Sequence, residues 1–329
     1  MSSKSYPTVF DIQAAEDRLS DQVIQTPILE SSQLNEQLGC RLLLKAEALQ
    51  RTGSFKFRGA YNKISQIPTH QRFKGVVAYS SGNHAQGVAA AAQIFDLPAT
   101  IVMPSDAPDI KIQNTRSYGA DIEFYDRKIG NRVKMAKRIS DETGGLLIPP
   151  YNDPDIIAGQ GTIALELIRQ SKELNVKFDI VMGPSSGGGM MSGCSLVLKH
   201  YDPRVMLYCV EPENYDDIAQ SLACGHRIKL KPKGRHSICD ALLLETPGDL
   251  TFQILKELNV GGLVVSDQAT VHAMLVAFQA FKIVLEPSGA IALAAALEQK
   301  INLKGKTVAV ICTGGNVDPN LFQKALMVK

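Results

Sequence analysis

Short apolar runs alternate with longer amphipathic stretches along most of this 329-residue chain. Apolar runs of strand length favour buried strands, and the longer stretches between them have helical periodicity. We predict an α/β protein in which parallel-rich sheets are flanked by helices. The predicted strands are residues 41–47, 75–80, 100–103, 121–125, 146–149, 178–183, 206–210, 262–265 and 307–312. The predicted helices include residues 84–95, 109–118, 132–143, 154–170, 190–200 and 268–284.

Three polar or glycine-rich segments follow predicted strands directly. They are residues 80–84 (Ser-Ser-Gly-Asn-His), 185–189 (Ser-Ser-Gly-Gly-Gly) and 313–316 (Thr-Gly-Gly-Asn). In an open α/β sheet, ligands bind beyond the carboxyl ends of the strands. We therefore expect the three segments to share one site.

Lys56 lies between two aromatic residues, Phe55 and Phe57. A lysine in an apolar pocket loses hydration, which lowers its pKa and makes the amine a better imine-forming nucleophile. The alternative is a surface lysine whose stem lies along its apolar neighbours.

Residues 179–190 are predicted to form a strand, a glycine-rich loop and the start of a helix, an arrangement that binds phosphate. A dinucleotide-binding loop is the alternative, but its motif requires glycine at Ser192, and the nearest glycine is Gly193. That alternative also leaves Lys56 and Asn83 without a role. An imine-forming lysine combined with a phosphate-binding loop is what pyridoxal phosphate requires.

From about Thr26 to about Asp318, the chain resembles the fold-type II pyridoxal-phosphate enzymes of the serine/threonine dehydratase and serine racemase family. The lysine segment and the three strand-end segments carry this resemblance. It implies a large cofactor-binding domain made of residues 1–65 and 151–329 and a small substrate-binding domain of residues 66–150. It also implies a homodimer.

The resemblance assigns roles to individual residues. Lys56 would bind the cofactor as an imine and then take the proton from the substrate Cα, and Ser81 would be an acid or base on the opposite face. The implied cofactor-binding residues are Phe55, Lys56, Asn83, Ser186, Gly187, Gly188, Gly189, Met190 and Thr313. The implied substrate-binding residues are Ser80, Ser81, Gly82, His84, Arg132 and Asn152.

Some of these residues have alternative interpretations or depart from the family pattern. Residues 80–84 would also suit a helix N-cap, since Ser and Asn are preferred there. Arg132 would equally suit the surface of a helix. Ser186 stands where the family usually has glycine, and residues 238–243 differ from the family's usual loop, which leaves the substrate preference open.

The function implied is a pyridoxal-phosphate-dependent ammonia-lyase (dehydratase) that converts threonine, serine or a related β-hydroxy amino acid into a 2-oxo acid and ammonia. The alternative is a serine racemase or 3-hydroxyaspartate dehydratase that uses Ser81 on the second face of the substrate. A non-catalytic ligand-binding relative would be expected to lack Lys56, which is present.

The resemblance also implies a divalent-cation site in the acidic segment of residues 211–217. Glu211 and Asp217 would supply carboxylates and Tyr215 its backbone carbonyl. Oxygen ligands of this kind suit Mg²⁺ or Ca²⁺. The alternative is a helix start with acidic residues in its first turn.

Composition and cysteine spacing favour a cytoplasmic protein that binds neither nucleic acid nor membranes. Charged residues make up 21% of the chain and the net charge is +2, so nothing indicates binding to nucleic acid or a membrane surface. The basic residues 227–235 are predicted to be a solvated loop. No apolar run approaches the roughly 20 residues of a membrane span, and residues 1–7 lack the apolar core of a signal peptide. The six scattered cysteines indicate reduced, mostly buried thiols.

Overall fold

A computed structural model describes residues 6–107, 109–126, 129–231 and 236–327 of the chain. The strands are β1 (Ile28–Glu30), β2 (Arg41–Ala46), β3 (Val76–Tyr79), β4 (Ala99–Pro104), β5 (Asp121–Tyr125), β6 (Leu146–Leu147), β7 (Ile180–Pro184), β8 (Met206–Pro212), β9 (Gly261–Val265) and β10 (Thr307–Cys312). The α-helices are α1 (Val9–Leu19), α2 (Ser32–Leu38), α3 (Lys56–Ser65), α4 (Asn83–Ile94), α5 (Asp109–Ser117), α6 (Arg132–Thr143), α7 (Pro154–Glu173), α8 (Gly189–Tyr201), α9 (Asp217–Cys224), α10 (Asp249–Glu257), α11 (Asp267–Val276), α12 (Pro287–Leu297) and α13 (Pro319–Leu326).

The strands form two sheets, and this confirms the predicted α/β class. The larger sheet has the order β1-β2-β10-β7-β8-β9, and all its pairs are parallel except β1 with β2. The smaller sheet has the order β5-β4-β3-β6 and is entirely parallel. Its strands come from the continuous stretch 76–147, whereas those of the larger sheet come from both sides of that stretch.

The predicted elements differ from the structure mainly where backbone conformation decides the boundary. The helix predicted for residues 268–284 ends at Val276 and continues only as a π-helical turn, Ala277–Phe281. Lys282, which follows, has a left-handed backbone with φ of 60° and ends the helix there. The antiparallel edge strand β1 was not predicted, because three residues are too short to show a pattern.

Four charged side chains form a buried ionic cluster at one end of α3. The cluster consists of Lys45, Glu47, Arg58 and Glu166. Arg58 lies 2.8 Å from Glu47 and 2.7 Å from Glu166, and Lys45 lies 2.6 Å from Glu166. Burial opposes ionisation of Glu47, but the charge and hydrogen bonds of Arg58 hold its pKa below the usual range. The cluster joins β2, α3 and α7 through paired charges.

The structure tests some of the remaining predictions from composition, and others fall on residues that it does not describe. No described helix is both long enough and apolar enough to cross a bilayer. All six cysteines are free thiols; five are buried and Cys224 is exposed. The basic loop predicted for residues 227–235 includes residues 232–235, which lie outside the described residues, as do residues 1–5 of the predicted N-terminus.

Candidate active site

One cavity of about 510 Å³ lies where the carboxyl ends of strands from both sheets converge. The three segments expected to share a site follow β3, β7 and β10 directly, and all three contribute to its walls. Of the residues assigned to cofactor or substrate, all but Asn152 line the cavity, namely Phe55, Lys56, Ser80, Ser81, Gly82, Asn83, His84, Arg132, Ser186, Gly187, Gly188, Gly189, Met190 and Thr313. All the residues that the sequence analysis assigned to cofactor or substrate, except Asn152, therefore lie in one concave site.

Lys56 is the first residue of α3 and directs its amine into this cavity. Its Nζ donates a hydrogen bond of 2.8 Å to the carbonyl oxygen of Pro150 and lies 5.1 Å from the centre of the Phe55 ring. Burial lowers the pKa of the Lys56 amine to about 8. At neutral pH a larger fraction of this amine is therefore unprotonated than of an exposed lysine.

His84 is held as a neutral ring beside this lysine. Its Nε2 lies 2.9 Å from the carbonyl oxygen of Ile148, so this nitrogen must carry the proton and donate it. Nδ1 is buried and has no partner among the described residues. Burial, together with the positive charge of Lys56, lowers the pKa of His84 to about 3. His84 therefore adds no positive charge to the cavity.

Helices α3, α4, α8 and α12 begin at the cavity without side-chain caps, and α4 and α8 follow strand-end segments. The N-cap of α4 is Gly82 and the N-cap of α8 is Gly188, and neither helix has a side-chain cap hydrogen bond. The N-cap role considered for the serines of residues 80–84 is therefore not taken; Ser80 Oγ instead accepts from the N–H of Gly82 at 3.2 Å. Uncapped helix N-termini present backbone N–H groups and a positive dipole end, both of which favour an anion.

The glycine-rich loop is shaped by Tyr151, a residue that the sequence analysis did not select. A Cβ atom at Gly187 would lie 2.2 Å from the Tyr151 ring, and one at Gly189 would lie 3.0 Å from its Cα and Cβ atoms. Gly188 has a left-handed backbone with φ of 86°. Ser186 does not have a positive φ, so a serine fits this position without backbone strain.

Thr313 and Asn83 also line the cavity, at the end of β10 and the start of α4. The Thr313 hydroxyl makes no hydrogen bond among the described residues, and its carbonyl oxygen accepts from the N–H of Phe55 at 3.2 Å. Asn83 donates through Nδ2 to Oε1 of Glu286 and accepts through Oδ1 from Nδ2 of Asn316 at 2.8 Å. Both Asn83 and Thr313 are almost fully buried.

Arg132 and Asn152, the two weaker assignments, have different outcomes. Arg132 lines the cavity, with its guanidinium 6.0 Å from the centre of the Tyr79 ring. Asn152 does not line it; its side chain bonds to the carboxylate of Asp249 and accepts from the N–H of Leu250 at 3.0 Å. Asn152 therefore holds the start of α10, and the neighbouring Tyr151 lines the cavity instead.

The three residues assigned to a cation lie outside the cavity. Glu211 and Asp217 are fully buried. Glu211 accepts from the N–H groups of Ile218 and Ala219 at 3.1 and 2.7 Å. Neither carboxylate oxygen of Asp217 has a hydrogen-bond partner among the described residues. Burial raises the pKa of Asp217 to about 7, and burial together with the charge of Asp217 raises that of Glu211.

The cavity also includes residues beyond those that the sequence analysis assigned to cofactor or substrate. Residues 240–244 form one wall of the cavity. Asp240 makes an ion pair with Lys111 of α5, and this contact joins a segment near the larger sheet to one near the smaller sheet. Glu286 lies directly before the first residue of α12, Pro287. An acidic residue before a helix-starting proline was a signal for a helix N-terminus, but nothing local placed it beside Asn83.

Comparison with known proteins gives one family and several close relatives. Residues 19–314 match the profile of the family described as pyridoxal-phosphate dependent enzyme. The chain is 40% identical to an L-threonine ammonia-lyase of Thermotoga maritima over 97% of its own length and 78% of the relative's. It is 42% identical to an L-threo-3-hydroxyaspartate ammonia-lyase of Saccharomyces cerevisiae, over 95% of its own length and 94% of the relative's. A structure of maize serine racemase superposes with a TM-score of 0.91 at 38% identity and covers 98% of this chain and 97% of its own.

Proposed function

Because the chain belongs to the family of pyridoxal-phosphate-dependent enzymes, we propose that it is an ammonia-lyase that converts a β-hydroxy amino acid into a 2-oxo acid and ammonia. When bound, pyridoxal phosphate supplies an electron sink for the charge left at the substrate Cα. The observation that carries the proposal is the Lys56 amine, whose pKa is lowered to about 8, in a cavity at which α4 and α8 begin without side-chain caps.

The cavity fits this cofactor because the start of α8 suits its phosphate. Gly187 and Gly189 have no Cβ atom to collide with Tyr151, so the loop backbone packs closely against this residue, and α8 begins there without a cap. The Ser186 hydroxyl, which lies 3.4 Å from the N–H of Leu244, adds a polar group to the same loop. Backbone N–H groups and the helix dipole stabilise a phosphate in such a loop.

The start of α4 suits the substrate α-carboxylate for the same physical reason. Ser80, Ser81 and Gly82 lead into an uncapped helix, so N–H groups and hydroxyls are available to a carboxylate. The Lys56 amine is the group that takes the Cα proton. Thr313 would face the pyridine nitrogen with a hydroxyl, which cannot keep that nitrogen protonated as a carboxylate would. Elimination tolerates this, because the leaving β-hydroxyl removes the charge.

Two relatives differ in substrate, and Arg132 favours one of them. The relatives act, by name, on L-threonine and on L-threo-3-hydroxyaspartate. Arg132 is a half-buried cation that lines the cavity beside Tyr79. A cation in this position suits a second carboxylate on the substrate, so L-threo-3-hydroxyaspartate is our first candidate substrate and L-threonine the second.

The test is a panel of L- and D-serine, L- and D-threonine and the 3-hydroxyaspartates, assayed for 2-oxo acid and ammonia. We expect oxo acid from at least one of them, and Arg132→Gln should reduce the rate with 3-hydroxyaspartate more than the rate with threonine. No oxo acid from any member, with cofactor bound, would overturn the proposal. Equal reduction with both substrates would remove Arg132 as the selecting residue.

Racemisation is the second candidate function, and Ser81 supports it. Its side chain lines the cavity, and its hydroxyl makes no hydrogen bond among the described residues. If Ser81 exchanges a proton on the face opposite Lys56, Ser81→Ala should remove racemisation and spare elimination of L-substrates. General acid–base catalysis of this kind contributes about 10²–10⁴-fold. Deuterium exchange at Cα of unreacted substrate measures the step, and equal loss of both activities would indicate that Ser81 only orients the substrate.

We also propose a divalent cation, Mg²⁺ or Ca²⁺, at Glu211, Asp217 and the carbonyl of Tyr215. The support is Asp217, a buried carboxylate with no hydrogen-bond partner among the described residues. No cluster of three or more His, Cys, Asp or Glu side chains is found in the described part of the chain, so backbone oxygens and water would complete the set. EDTA should lower the melting temperature, Mg²⁺ should restore it, and Asp217→Ala should abolish both effects. An Asp217→Ala protein that still responds to EDTA would contradict this site.

The finer predictions from the resemblance remain part of the proposal. They are the homodimer, the cytoplasmic location and the division into residues 1–65 with 151–329 and residues 66–150. The free cysteines are consistent with a reducing compartment. Sedimentation equilibrium of the purified protein tests the dimer, and a mass of one chain at micromolar concentration would contradict it.

A further inference from the structure

Glu286 lies at the N-cap of α12 but does not cap that helix. Its backbone is extended, with φ of −74° and ψ of 159°, and Pro287 fills the first helical position. A carboxylate at this place usually accepts from N–H groups of the first turn, yet Glu286 makes no side-chain cap hydrogen bond. It accepts from Nδ2 of Asn83 instead. The carboxylate is therefore directed to the cavity rather than to its own helix.

The amide of Asn83 is held at both ends. Asn316 donates through Nδ2 to Oδ1 of Asn83 at 2.8 Å and to the carbonyl oxygen of Thr52 at 2.8 Å. Only one orientation of the Asn83 amide lets its oxygen accept from Asn316 and its nitrogen donate to Glu286. Nδ2 carries two hydrogens, and the second has no acceptor among the described residues. One N–H of fixed direction therefore remains on a side chain that lines the cavity.

Gly314 makes room for the contact between Glu286 and Asn83. A Cβ atom at Gly314 would lie 2.1 Å from Oε1 of Glu286 and 3.0 Å from Nδ2 of Asn83. The N–H of Glu286 also donates to the carbonyl oxygen of Gly314 at 3.1 Å. The turn that positions Thr313 thus also positions this carboxylate.

The electrostatic setting of Glu286 indicates a role other than stability. The residue is 3% exposed and takes part in no ion pair among the described residues. The charged groups that act on it are Asp240 and Lys111: burial and the charge of Asp240 raise the pKa of Glu286 to about 7, while Asn83 and Lys111 oppose the rise. A buried carboxylate without a cation costs free energy.

We propose that Glu286 is a positioning residue that fixes the Asn83 amide, so that the free N–H of this amide would be available to an acceptor atom of the bound cofactor. The inference deepens the proposed function, because it rests on the placement of pyridoxal phosphate beside Asn83. The ionised carboxylate holds Asn83 by a charge-assisted hydrogen bond, and protonation replaces it with a weaker neutral one. The cofactor is therefore held most firmly when Glu286 is charged.

The test compares Glu286→Gln, which keeps the size and an oxygen acceptor but cannot ionise, with Glu286→Ala, which removes the acceptor. The affinity of the apoprotein for pyridoxal phosphate and the visible spectrum of the holoenzyme without substrate are measured from pH 5.5 to 8.5. At pH 8 we expect Glu286→Ala to weaken cofactor affinity about 10-fold, the scale of one charge-assisted hydrogen bond. The wild-type spectrum should change with an apparent pKa near 7, and Glu286→Gln should lose that change. Glu298→Gln, an exposed carboxylate just beyond the end of α12, is the matched control and should behave as wild type.

A double-mutant cycle separates positioning from general structural support. If Glu286 acts through Asn83, then Glu286→Gln should have no further effect on cofactor affinity in an Asn83→Ala background. Additive losses, or a Glu286→Gln protein that keeps the wild-type spectral titration, overturn the inference. Because no readout requires substrate, a wild type that binds the cofactor but turns over no amino acid overturns only the proposed function. A wild type that does not bind pyridoxal phosphate overturns both. If Glu286→Ala does not fold, Glu286→Gln carries the same test.

Discussion

The buried ionic cluster and the cavity both shield charged groups from bulk water but pair them differently. In the cluster, each guanidinium or ammonium group lies within 2.9 Å of a carboxylate. In the cavity, the side chains of Lys56 and Glu286 have no ionic partner among the described residues: Lys56 donates to the carbonyl oxygen of Pro150, and Glu286 accepts from the amide of Asn83. Lys56 is the first residue of α3, which the cluster holds in place. Glu286 directly precedes α12, which the larger sheet holds in place.

The difference in pairing explains the difference in ionisation. Arg58 keeps the pKa of Glu47 below its usual range despite burial. Without such partners, burial moves the pKa of Lys56 down to about 8 and, with the charge of Asp240, that of Glu286 up to about 7. Paired charges stay charged and support the fold, whereas unpaired ones approach neutrality and become able to exchange protons near physiological pH.

The largest expected effect comes from removing the unpaired lysine. Lys56→Ala should reduce turnover by about 10⁴-fold or more, equivalent to about 5 kcal/mol, and abolish the visible band of the bound cofactor. The free energy of unfolding of the Lys56→Ala protein should not fall, because the amine has no ionic partner to lose. Lys63→Ala, on the same helix but paired with Asp153, is the control and should retain turnover. Oxo-acid production by Lys56→Ala would contradict the assignment of this lysine.

Breaking the paired cluster should have the next largest effect, and on stability. Arg58→Met leaves Glu47 and Glu166 buried without their shared guanidinium, which should cost about 3–5 kcal/mol of unfolding free energy. Urea denaturation measures this loss. Arg41→Met removes an exposed pair with Glu30 and should cost about 1 kcal/mol or less. Similar losses for the two variants would refute the distinction between the cluster and ordinary surface pairs.

The smallest expected effect is on the pH dependence of stability and concerns Asp217. This buried carboxylate is unpaired among the described residues, like the charged groups of the cavity and unlike those of the cluster. Because burial raises its pKa to about 7, the folded state binds a proton that the unfolded state has already lost, so stability falls as pH rises through 7. With divalent cations removed, this group alone should lower the unfolding free energy by about 1 kcal/mol between pH 6 and pH 8. Asp217→Asn should flatten that part of the profile, and an unchanged slope in this variant would contradict the shifted pKa.

Local patterns predicted the scaffold and most of the cavity. Apolar runs gave β10 with its bounds as observed, and the glycine loop before α8 was recognisable because its requirements are local. The contact between Asn83 and Glu286 was missed because it joins residues 203 positions apart. Tyr151 was missed by one position: Asn152 was assigned through the family resemblance, whereas the backbone turns the Asn152 amide towards α10 and the tyrosine towards the glycine loop.

Helices α4 and α8 would link the stability of the protein to the supply of its cofactor. Other helices of the fold use Thr8, Asn131 or Asp153 as caps, whereas α4 and α8 begin without such a cap and would be stabilised by an anionic ligand. A ligand that binds only the folded state adds about 2.7 kcal/mol of stability at 100 times its Kd. A cell short of the vitamin precursor of the cofactor would then hold less of the folded protein, because the empty form opens more often to proteases.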